Sequence, residues 1–221
     1  LIGPGDRKSI QPMAMRSDAV PYDRLHHFIG AGLWDKAPLE ATLWKQADDL
    51  VGGDGSWLII DDTALPKKGK ASVGVAPQYA TALGKNANCQ TMVSVTLASG
   101  EVPLMLSLRL FLPESWTGDV ARMDKAGVPR ALQDYRTKPE IALEEIDRVI
   151  AAGVRFGCVL ADAGYGLSSP FRQALTARGL CWAVGIPRHQ KVYPDDVQLI
   201  FPVAGRGRPR MRHVPDVTSV A

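Results

Sequence analysis

The chain has 221 residues, of which 46% are hydrophobic and 22% are charged. These proportions are typical of a soluble globular protein with one large domain. The net charge is only +3, and no run approaches the ~18 apolar residues of a membrane span, so we expect no membrane contact.

Residues 1–52 predict a helical segment. Apolar side chains recur at helical spacing behind Pro38, namely Leu39, Leu43, Ala47, Leu50 and Val51. Glycines at 52, 53 and 55 end this pattern. An apolar strand is then predicted over 57–62. Residues 63–90 are rich in Gly, Lys, Ala, Gln and Asn and predict a long irregular excursion, which in a compact domain is usually functional.

A β-hairpin is predicted next. Residues 91–98 and 101–112 are rich in β-forming residues, and Ser99-Gly100 is expected to be the two-residue turn. Residues 113–136 contain two prolines and two glycines and predict irregular structure.

A helix and a strand follow, and then a second helix and a second strand. The sequence Thr137-Lys138-Pro139-Glu140 predicts a capping box that opens a helix ending at Gly153. A strand ends at Asp162, a helix opens at Ser169-Pro170, and a further strand covers 180–186. After Pro187 the composition predicts an extended or β-rich element.

This order predicts an α/β fold of the ribonuclease-H-like kind. Three antiparallel strands are followed by a βαβ unit with a parallel, right-handed crossover. In that arrangement the first and fourth strands are neighbours. The predicted parts are an N-terminal helical segment at 1–52, a catalytic core at 56–187, and the start of a β-rich insertion or a basic tail at 188–221.

Two aspartates close apolar strands and are the candidate catalytic residues. Asp62 ends the first strand and Asp162 ends the fourth, so both carboxylates should lie at one sheet edge. Two Mg²⁺ ions roughly 4 Å apart can activate a nucleophile and stabilise a leaving oxygen in phosphodiester chemistry. Mg²⁺ prefers hard oxygen ligands. Asp61 should face the opposite side of the sheet, because adjacent strand residues alternate.

The cations are clustered, which favours a polyanionic partner such as DNA. The candidate DNA-binding residues are Lys67, Lys68, Lys70, Lys85, Arg188, Lys191, Arg206, Arg208, Arg210 and Arg212. The alternative for each cluster is a solvated loop or a flexible basic tail.

The three cysteines lack metal-ligand spacing. Cys158 and Cys181 lie in apolar runs and are predicted to be small core residues, which suits a reducing compartment.

Several segments resemble the catalytic blocks of bacterial insertion-sequence transposases with a DDE site. The first block corresponds to Ile59-Ile60-Asp61-Asp62-Thr63, Pro66-Lys67-Lys68-Gly69, Ser72-Val73-Gly74-Val75, Gln78-Tyr79, Gly84-Lys85 and Asn88-Cys89-Gln90. The second block corresponds to Ala161-Asp162-Ala163-Gly164-Tyr165-Gly166. A segment near the start of those proteins is similar to residues 7–14.

This resemblance implies a ribonuclease-H-like domain that cuts and joins transposon-end DNA with two Mg²⁺ ions, with Mn²⁺ as an alternative. It gives Asp62 and Asp162 the first two metal-ligand roles. It also implies target DNA as a partner, a homodimer in the synaptic complex, and a bacterial cytoplasmic, nucleoid-associated protein. We expect the chain to begin inside a longer reading frame, because it lacks an initiator methionine.

The resemblance also implies a third acid, a glutamate on a helix beyond a β-rich insertion. No glutamate follows Glu145, so we expect the chain to be truncated before this acid and inactive by itself. The alternative is a non-catalytic DNA-binding remnant or regulator derived from a transposase.

Two other classes of enzyme are excluded by their motifs. A haloacid-dehalogenase phosphatase needs an acid two residues after its strand-end aspartate, where Ala64 stands. A P-loop is excluded because Gly84-Lys85 lacks the upstream glycine and is followed by Asn86.

Overall fold

The computed structural model describes residues 10–16, 20–31, 35–80, 83–193, 196–200 and 214–215. It divides into two compact units, Leu1–Thr42 and Leu43–Ala221. The first unit contains α1 (Ile10–Ala14), α2 (Tyr22–Gly30) and the first turns of α3 (Ala37–Val51). The helical character predicted for this part of the chain is confirmed for the residues that are described.

The end of α3 belongs to the second unit, and one tryptophan fixes it there. The side chain of Trp44 is buried, and its indole N–H donates a hydrogen bond of 2.9 Å to the carbonyl oxygen of Leu106. Ala47, one turn further on, is also buried. This helix therefore packs by the face that carries Trp44 and Ala47.

A six-stranded mixed sheet forms the centre of the second unit. Its strands are β1 (Gly53–Pro66), β2 (Ala76–Ala80), β3 (Lys85–Ser99), β4 (Val102–Leu110), β5 (Phe156–Ala161) and β6 (Trp182–Val184). The order is β2-β3-β1-β5-β6, and β4 also pairs with β3. β3 is antiparallel to its neighbours, whereas β1, β5 and β6 are mutually parallel. The predicted adjacency of the first strand and the strand ending at Asp162 is confirmed.

Two local predictions are wrong. Most of the predicted excursion at 63–90 is strand, because β1 continues to Pro66, β2 occupies Ala76–Ala80, and β3 begins at Lys85. The hairpin turn lies one residue later than expected. Ser99 still pairs with Val102, so the turn residues are Gly100 and Glu101, and Gly100 has a φ of +57°, which glycine adopts without steric cost.

Short helices occupy much of the segment predicted to be irregular. They are α4 (Glu114–Thr117), α5 (Val120–Lys125) and a 3₁₀ turn at Arg130–Leu132. Next come α6 (Lys138–Ala151), α7 (Ala163–Gly166) and α8 (Ser169–Ala177).

The predicted capping box at the start of α6 is confirmed. The Thr137 hydroxyl accepts a hydrogen bond from the Glu140 N–H, and the Glu140 carboxylate accepts one of 2.7 Å from the Thr137 N–H. The hydrogen bonds from Thr137 lower the pKa of Glu140, which keeps the cap charged over a wider pH range.

The main core lies between one face of the sheet and helices α6 and α8. Its strand residues include Leu58, Ile60 and Val159, and its helix residues include Ile146 and Leu175. All are almost fully buried, and burial of each side chain contributes about 1.5–3 kcal/mol. A smaller cluster is formed by Val75, Trp116 and Met123.

The described residues beyond β6 include a two-stranded antiparallel ladder of β7 (Leu199–Ile200) and β8 (Val214–Pro215). Within the part of the chain that the structure describes, no helix is long and apolar enough to cross a membrane. The prediction that Cys181 is a core residue is wrong, because its side chain is exposed just before the edge strand β6.

Candidate active site

The two strand-end aspartates lie at the same end of neighbouring parallel strands. The last residue pairs between β1 and β5 are Ile59 with Leu160 and Ile60 with Ala161. Asp62 therefore lies two residues beyond the last pair on β1, and Asp162 lies one residue beyond it on β5. The carboxyl ends of parallel strands are the usual place for a ligand in an open α/β sheet.

Both carboxylate oxygens of Asp62 have partners. The Tyr165 hydroxyl donates a hydrogen bond of 2.6 Å to Oδ1. The Lys138 ammonium donates one of 2.6 Å to Oδ2. The side chains of Lys138 and Asp62 are 30% and 28% exposed, so solvent reaches this ion pair.

Asp162 is held differently, by backbone groups. It is the N-cap residue of α7, and its Oδ1 accepts hydrogen bonds of 2.9 Å from the Gly164 N–H and 3.3 Å from the Tyr165 N–H. Aspartate is among the preferred residues at this position, because its carboxylate satisfies otherwise unpaired N–H groups.

Tyr165 is the residue that contacts both acids, and its ring is buried. The ring is 3% exposed and lies 5.6 Å from the ring of Phe171. Burial, followed by the negative charge of Asp62, raises the pKa of Tyr165 far above its usual value. The hydroxyl therefore remains protonated and acts as a hydrogen-bond donor at any physiological pH.

Two glycines allow α7 to lie directly against the end of β6. A Cβ atom on Gly166 would overlap the carbonyl oxygen of Gly185, and a Cβ on Gly185 would lie 2.9 Å from the Ala163 N. Only a residue without a side chain permits this approach. Gly166 thus allows α7 to take the position from which Tyr165 reaches Asp62.

Asp61 has a separate environment. It is exposed, whereas Leu58 and Ile60 on the other face of β1 are buried. Its Oδ1 accepts a hydrogen bond of 2.7 Å from the Asp62 N–H, and its carbonyl oxygen accepts one of 3.0 Å from the Ser94 hydroxyl. The alternating burial along β1 agrees with the expectation that Asp61 and Asp62 point to opposite sides of the sheet.

The donor chemistry at this sheet edge suits a hard divalent cation. Mg²⁺ is commonly bound by one or two carboxylates, with water and phosphate oxygens completing its shell, and Asp62 and Asp162 can supply such carboxylates. Within the described ranges, no group of three or more His, Cys, Asp or Glu side chains that could hold a metal ion is found. A metal ion held by these two carboxylates would need further ligands from outside the described residues, and it would meet Lys138 and Tyr165 on the Asp62 oxygens.

The last glutamate of the chain has a packing role. Glu145 is 1% exposed on α6. Its carboxylate accepts hydrogen bonds of 2.6 Å from the Ser107 hydroxyl, 3.2 Å from Arg109 and 2.7 Å from Arg148. A buried carboxylate is tolerated when it is paired and hydrogen-bonded in this way, so Glu145 joins α6 to β4.

The loop between β1 and β2 carries three of the predicted DNA-binding lysines. Lys68 and Lys70 are exposed and Lys67 is half-buried. The amide of Asn88 donates hydrogen bonds of 2.8 Å and 2.9 Å to the carbonyl oxygens of Lys67 and Gly69. The backbone of this loop is therefore held by side chains from β3.

Two residues of the short helices anchor the same loop. The Trp116 indole N–H donates a hydrogen bond of 2.9 Å to the Val75 carbonyl. Arg122 donates one of 3.0 Å to the Lys70 carbonyl, and its guanidinium lies 3.6 Å above the Trp116 ring. These contacts hold the ends of the segment while leaving Lys68 and Lys70 in solvent.

The other predicted basic residues are more scattered. Lys85 is exposed at the start of β3, and Arg188 and Lys191 are exposed after β6. Four predicted arginines, Arg206, Arg208, Arg210 and Arg212, lie outside the described residues.

Sequence motifs alone do not indicate the contacts that Lys138 and Tyr165 make with Asp62. Tyr165 stands inside the segment that resembles the second catalytic block, so the sequence carried a signal for it. Lys138 belongs to the predicted capping sequence, and nothing local indicates that its ammonium reaches Asp62, 76 residues away in the sequence.

The antiparallel start, the parallel β1-β5-β6 half and the acids at the ends of β1 and β5 define a ribonuclease-H-like fold with a strand-end carboxylate site. The chain belongs to the DDE superfamily endonuclease family, whose model matches residues 1–221. A curated relative is a probable transposase for insertion sequence element IS701 from Microchaete diplosiphon, with 33% identity over 144 residues. The match covers 65% of this chain and 35% of that protein's length.

Proposed function

We propose that this chain carries the catalytic core of a DNA transposase, which cleaves and joins transposon-end DNA by Mg²⁺-dependent hydrolysis and strand transfer. The observation that carries the proposal is the position of Asp62 and Asp162 at the ends of two adjacent parallel strands. Family membership and the similarity to a probable transposase support the same chemistry.

Asp62 and Asp162 would hold Mg²⁺, or Mn²⁺ as an alternative. When bound, the ions of a complete two-metal site activate the attacking oxygen and stabilise the leaving oxygen. The protein orients the two carboxylates, through the Tyr165 hydroxyl on Asp62 and the Gly164 and Tyr165 amides on Asp162. Such preorganisation matters because in-line phosphoryl transfer depends on positioning and on charge stabilisation.

The lysine loop, residues 66–75, would bind the DNA backbone. Its exposed cations, Lys68 and Lys70, are held on a backbone that β3 and the short helices anchor. Contacts to phosphates position the DNA without reading its sequence. We extend this proposal to both transposon ends and target DNA, to a homodimer in the synaptic complex, and to action on DNA in the bacterial cytoplasm.

Strand cleavage tests the catalytic proposal, measured in the longest reading frame that contains these residues. Labelled DNA that includes the flanks of that frame is incubated with Mg²⁺. We expect Asp62→Asn and Asp162→Asn to abolish cleavage while DNA binding is retained, and Asp61→Asn to have a milder effect. Full cleavage by the Asp62→Asn protein would contradict the proposal.

A non-catalytic DNA-binding protein or regulator is the second candidate. The observation that favours it is that, within the described ranges, no three acidic or other metal-binding side chains form a group that could hold a metal ion. We expect the 221 residues alone to bind DNA without nicking it. If the longest reading frame also binds but never cleaves with Mg²⁺ or Mn²⁺, this second candidate is correct.

The salt dependence of binding tests the lysine loop. Each phosphate contact contributes about −0.9 to the slope of log K against log salt concentration. Replacing Lys68 and Lys70 by alanine should therefore make the slope shallower by about 1.8 if both contact phosphates. The matched control replaces Lys36 and Lys45, which pair with acids of α3, and should leave the slope unchanged.

A further inference from the structure

The ion pair between Lys138 and Asp62 is not explained by the needs of helix α6. Lys138 is the first residue of that helix, where the helix dipole disfavours a cation. The capping requirement is already met by Thr137 and Glu140. The ammonium nevertheless lies 2.6 Å from Asp62 Oδ2. The position of the ammonium is therefore explained by its contact with Asp62 at the sheet edge and not by the stability of the helix.

The geometry around Asp62 separates its two oxygens. Oδ1 is held by the hydroxyl of Tyr165, a buried residue. Oδ2 is held by Lys138, whose long side chain is 30% exposed and whose ammonium also lies 5.7 Å from the Phe111 ring centre. One oxygen thus has a buried neutral partner, and the other has a partly exposed cationic partner.

A divalent cation at Oδ2 would meet Lys138 as a competitor. A divalent cation and an ammonium group on the same carboxylate oxygen repel each other, and the partly exposed ion pair is weak enough for the divalent ion to break it. The Tyr165 hydroxyl carries no charge and can stay on Oδ1 during the exchange, so Asp62 would keep its orientation. The displaced ammonium would remain beside the site, where a phosphate of the DNA backbone is its natural partner.

We propose that Lys138 is a positioning residue of this site, which holds Asp62 Oδ2 until a divalent ion takes it and then binds a DNA phosphate. This inference rests on the proposed function, because it requires a metal ion on Asp62. It adds Lys138 to the proposed DNA-binding residues. The contact between Lys138 and a DNA phosphate would then depend on the metal ion.

Metal affinity is the first test, measured by Mn²⁺ titration with electron paramagnetic resonance. Lys138→Met keeps the length of the side chain and removes the competing charge. We expect it to bind Mn²⁺ roughly two- to fivefold more tightly than the unmodified protein. Lys45→Met, at an exposed helical pair with Asp49, is the matched control and should not change the Mn²⁺ affinity.

DNA binding is the second test, measured as the salt slope with and without Ca²⁺. With the ion present, Lys138→Met should have a slope shallower by about 0.9, the value for one lost phosphate contact. Without the ion, the variant and the unmodified protein should have the same slope, because Lys138 is then occupied by Asp62. Lys138→Arg, which keeps the charge, should restore the slope.

The outcomes separate this inference from the proposed function. Unchanged or weaker Mn²⁺ binding by Lys138→Met, with binding lost in Asp62→Asn, would overturn the role of Lys138 and leave the metal site intact. Equal Mn²⁺ binding by Asp62→Asn and the unmodified protein would overturn both. Lys138→Gln, measured in the same way, decides the matter if circular dichroism shows that the methionine variant is unfolded.

Discussion

The Tyr165 hydroxyl lies 2.6 Å from Asp62 Oδ1, although the two residues are 103 positions apart in the sequence. The backbone N–H of the same tyrosine donates to Asp162. One residue of α7 therefore connects the acids at the ends of β1 and β5. The Tyr165 hydroxyl thus holds Oδ1 of Asp62, while Oδ2 faces the ammonium of Lys138, which solvent reaches.

Tyr165→Phe should destabilise the protein by about 1–3 kcal/mol, because a hydrogen bond to a charged group is lost and Oδ1 is left without its donor. The ring and its contact with Phe171 are retained, so the contribution of side-chain packing to stability is nearly unchanged. Urea unfolding followed by fluorescence measures the difference. Tyr79→Phe, at a ring that is 61% exposed, is the control, and an equal loss in both variants would contradict the assignment.

Gly166→Ala should also disturb the site, by a steric route. The new methyl group would overlap the Gly185 carbonyl, and forcing a side chain into such a contact costs about 1–3 kcal/mol. Relief requires α7 to move away from β6, which would carry Tyr165 away from Asp62.

Gly55→Ala is the matched control for this substitution, because a Cβ there meets no atom within 4 Å. We expect it to leave the midpoint of urea unfolding unchanged or slightly higher. If Gly166→Ala unfolds at the same urea concentration as Gly55→Ala, the close approach of α7 and β6 is not a constraint in solution.

Much of this fold could be predicted from local sequence signals. The capping box at Thr137 and Glu140 and the hairpin around Gly100 depend on residues a few positions apart, and both formed, the hairpin with its turn shifted by one residue. The prediction of irregular structure at 63–90 was wrong in part because β2 forms a strand only by pairing with β3. Its own residues, Ala76-Pro77-Gln78-Tyr79-Ala80, lack the clear alternation that marks a strand.

The candidate site shows the same difference between features that depend on local sequence and features that depend on tertiary structure. Apolar runs that end in an acid indicated Asp62 and Asp162, because strand ends are a local property. The partner of Asp62 on α6 could not be predicted, since the ammonium of Lys138 reaches it only after α6 packs across the sheet. No spacing rule connects two residues that meet through tertiary structure.

Asp162 has two roles that substitution can separate, the cap of α7 and the negative charge. Asparagine is as good an N-cap as aspartate, so Asp162→Asn should change stability by only a few tenths of a kcal/mol. Asp162→Ala removes the cap as well and should cost about 0.5–2 kcal/mol. Both should lose Mn²⁺ binding to the same extent. Tighter Mn²⁺ binding by the asparagine variant than by the alanine variant would mean that the cap, and not the charge, governs the metal.

Asn88→Ala tests whether the lysine loop is preorganised for DNA. Its amide holds the carbonyl oxygens of Lys67 and Gly69, so its removal loosens the loop without removing any charge. The cations can still reach phosphates, but binding must then order the loop, at a cost of about 1–2 kcal/mol per backbone residue fixed. We expect DNA affinity to fall roughly fivefold or more, while the slope of log K against log salt is unchanged. Faster hydrogen exchange across residues 67–72 should accompany the loss. A shallower slope with unchanged exchange would show instead that Asn88 itself contacts the DNA.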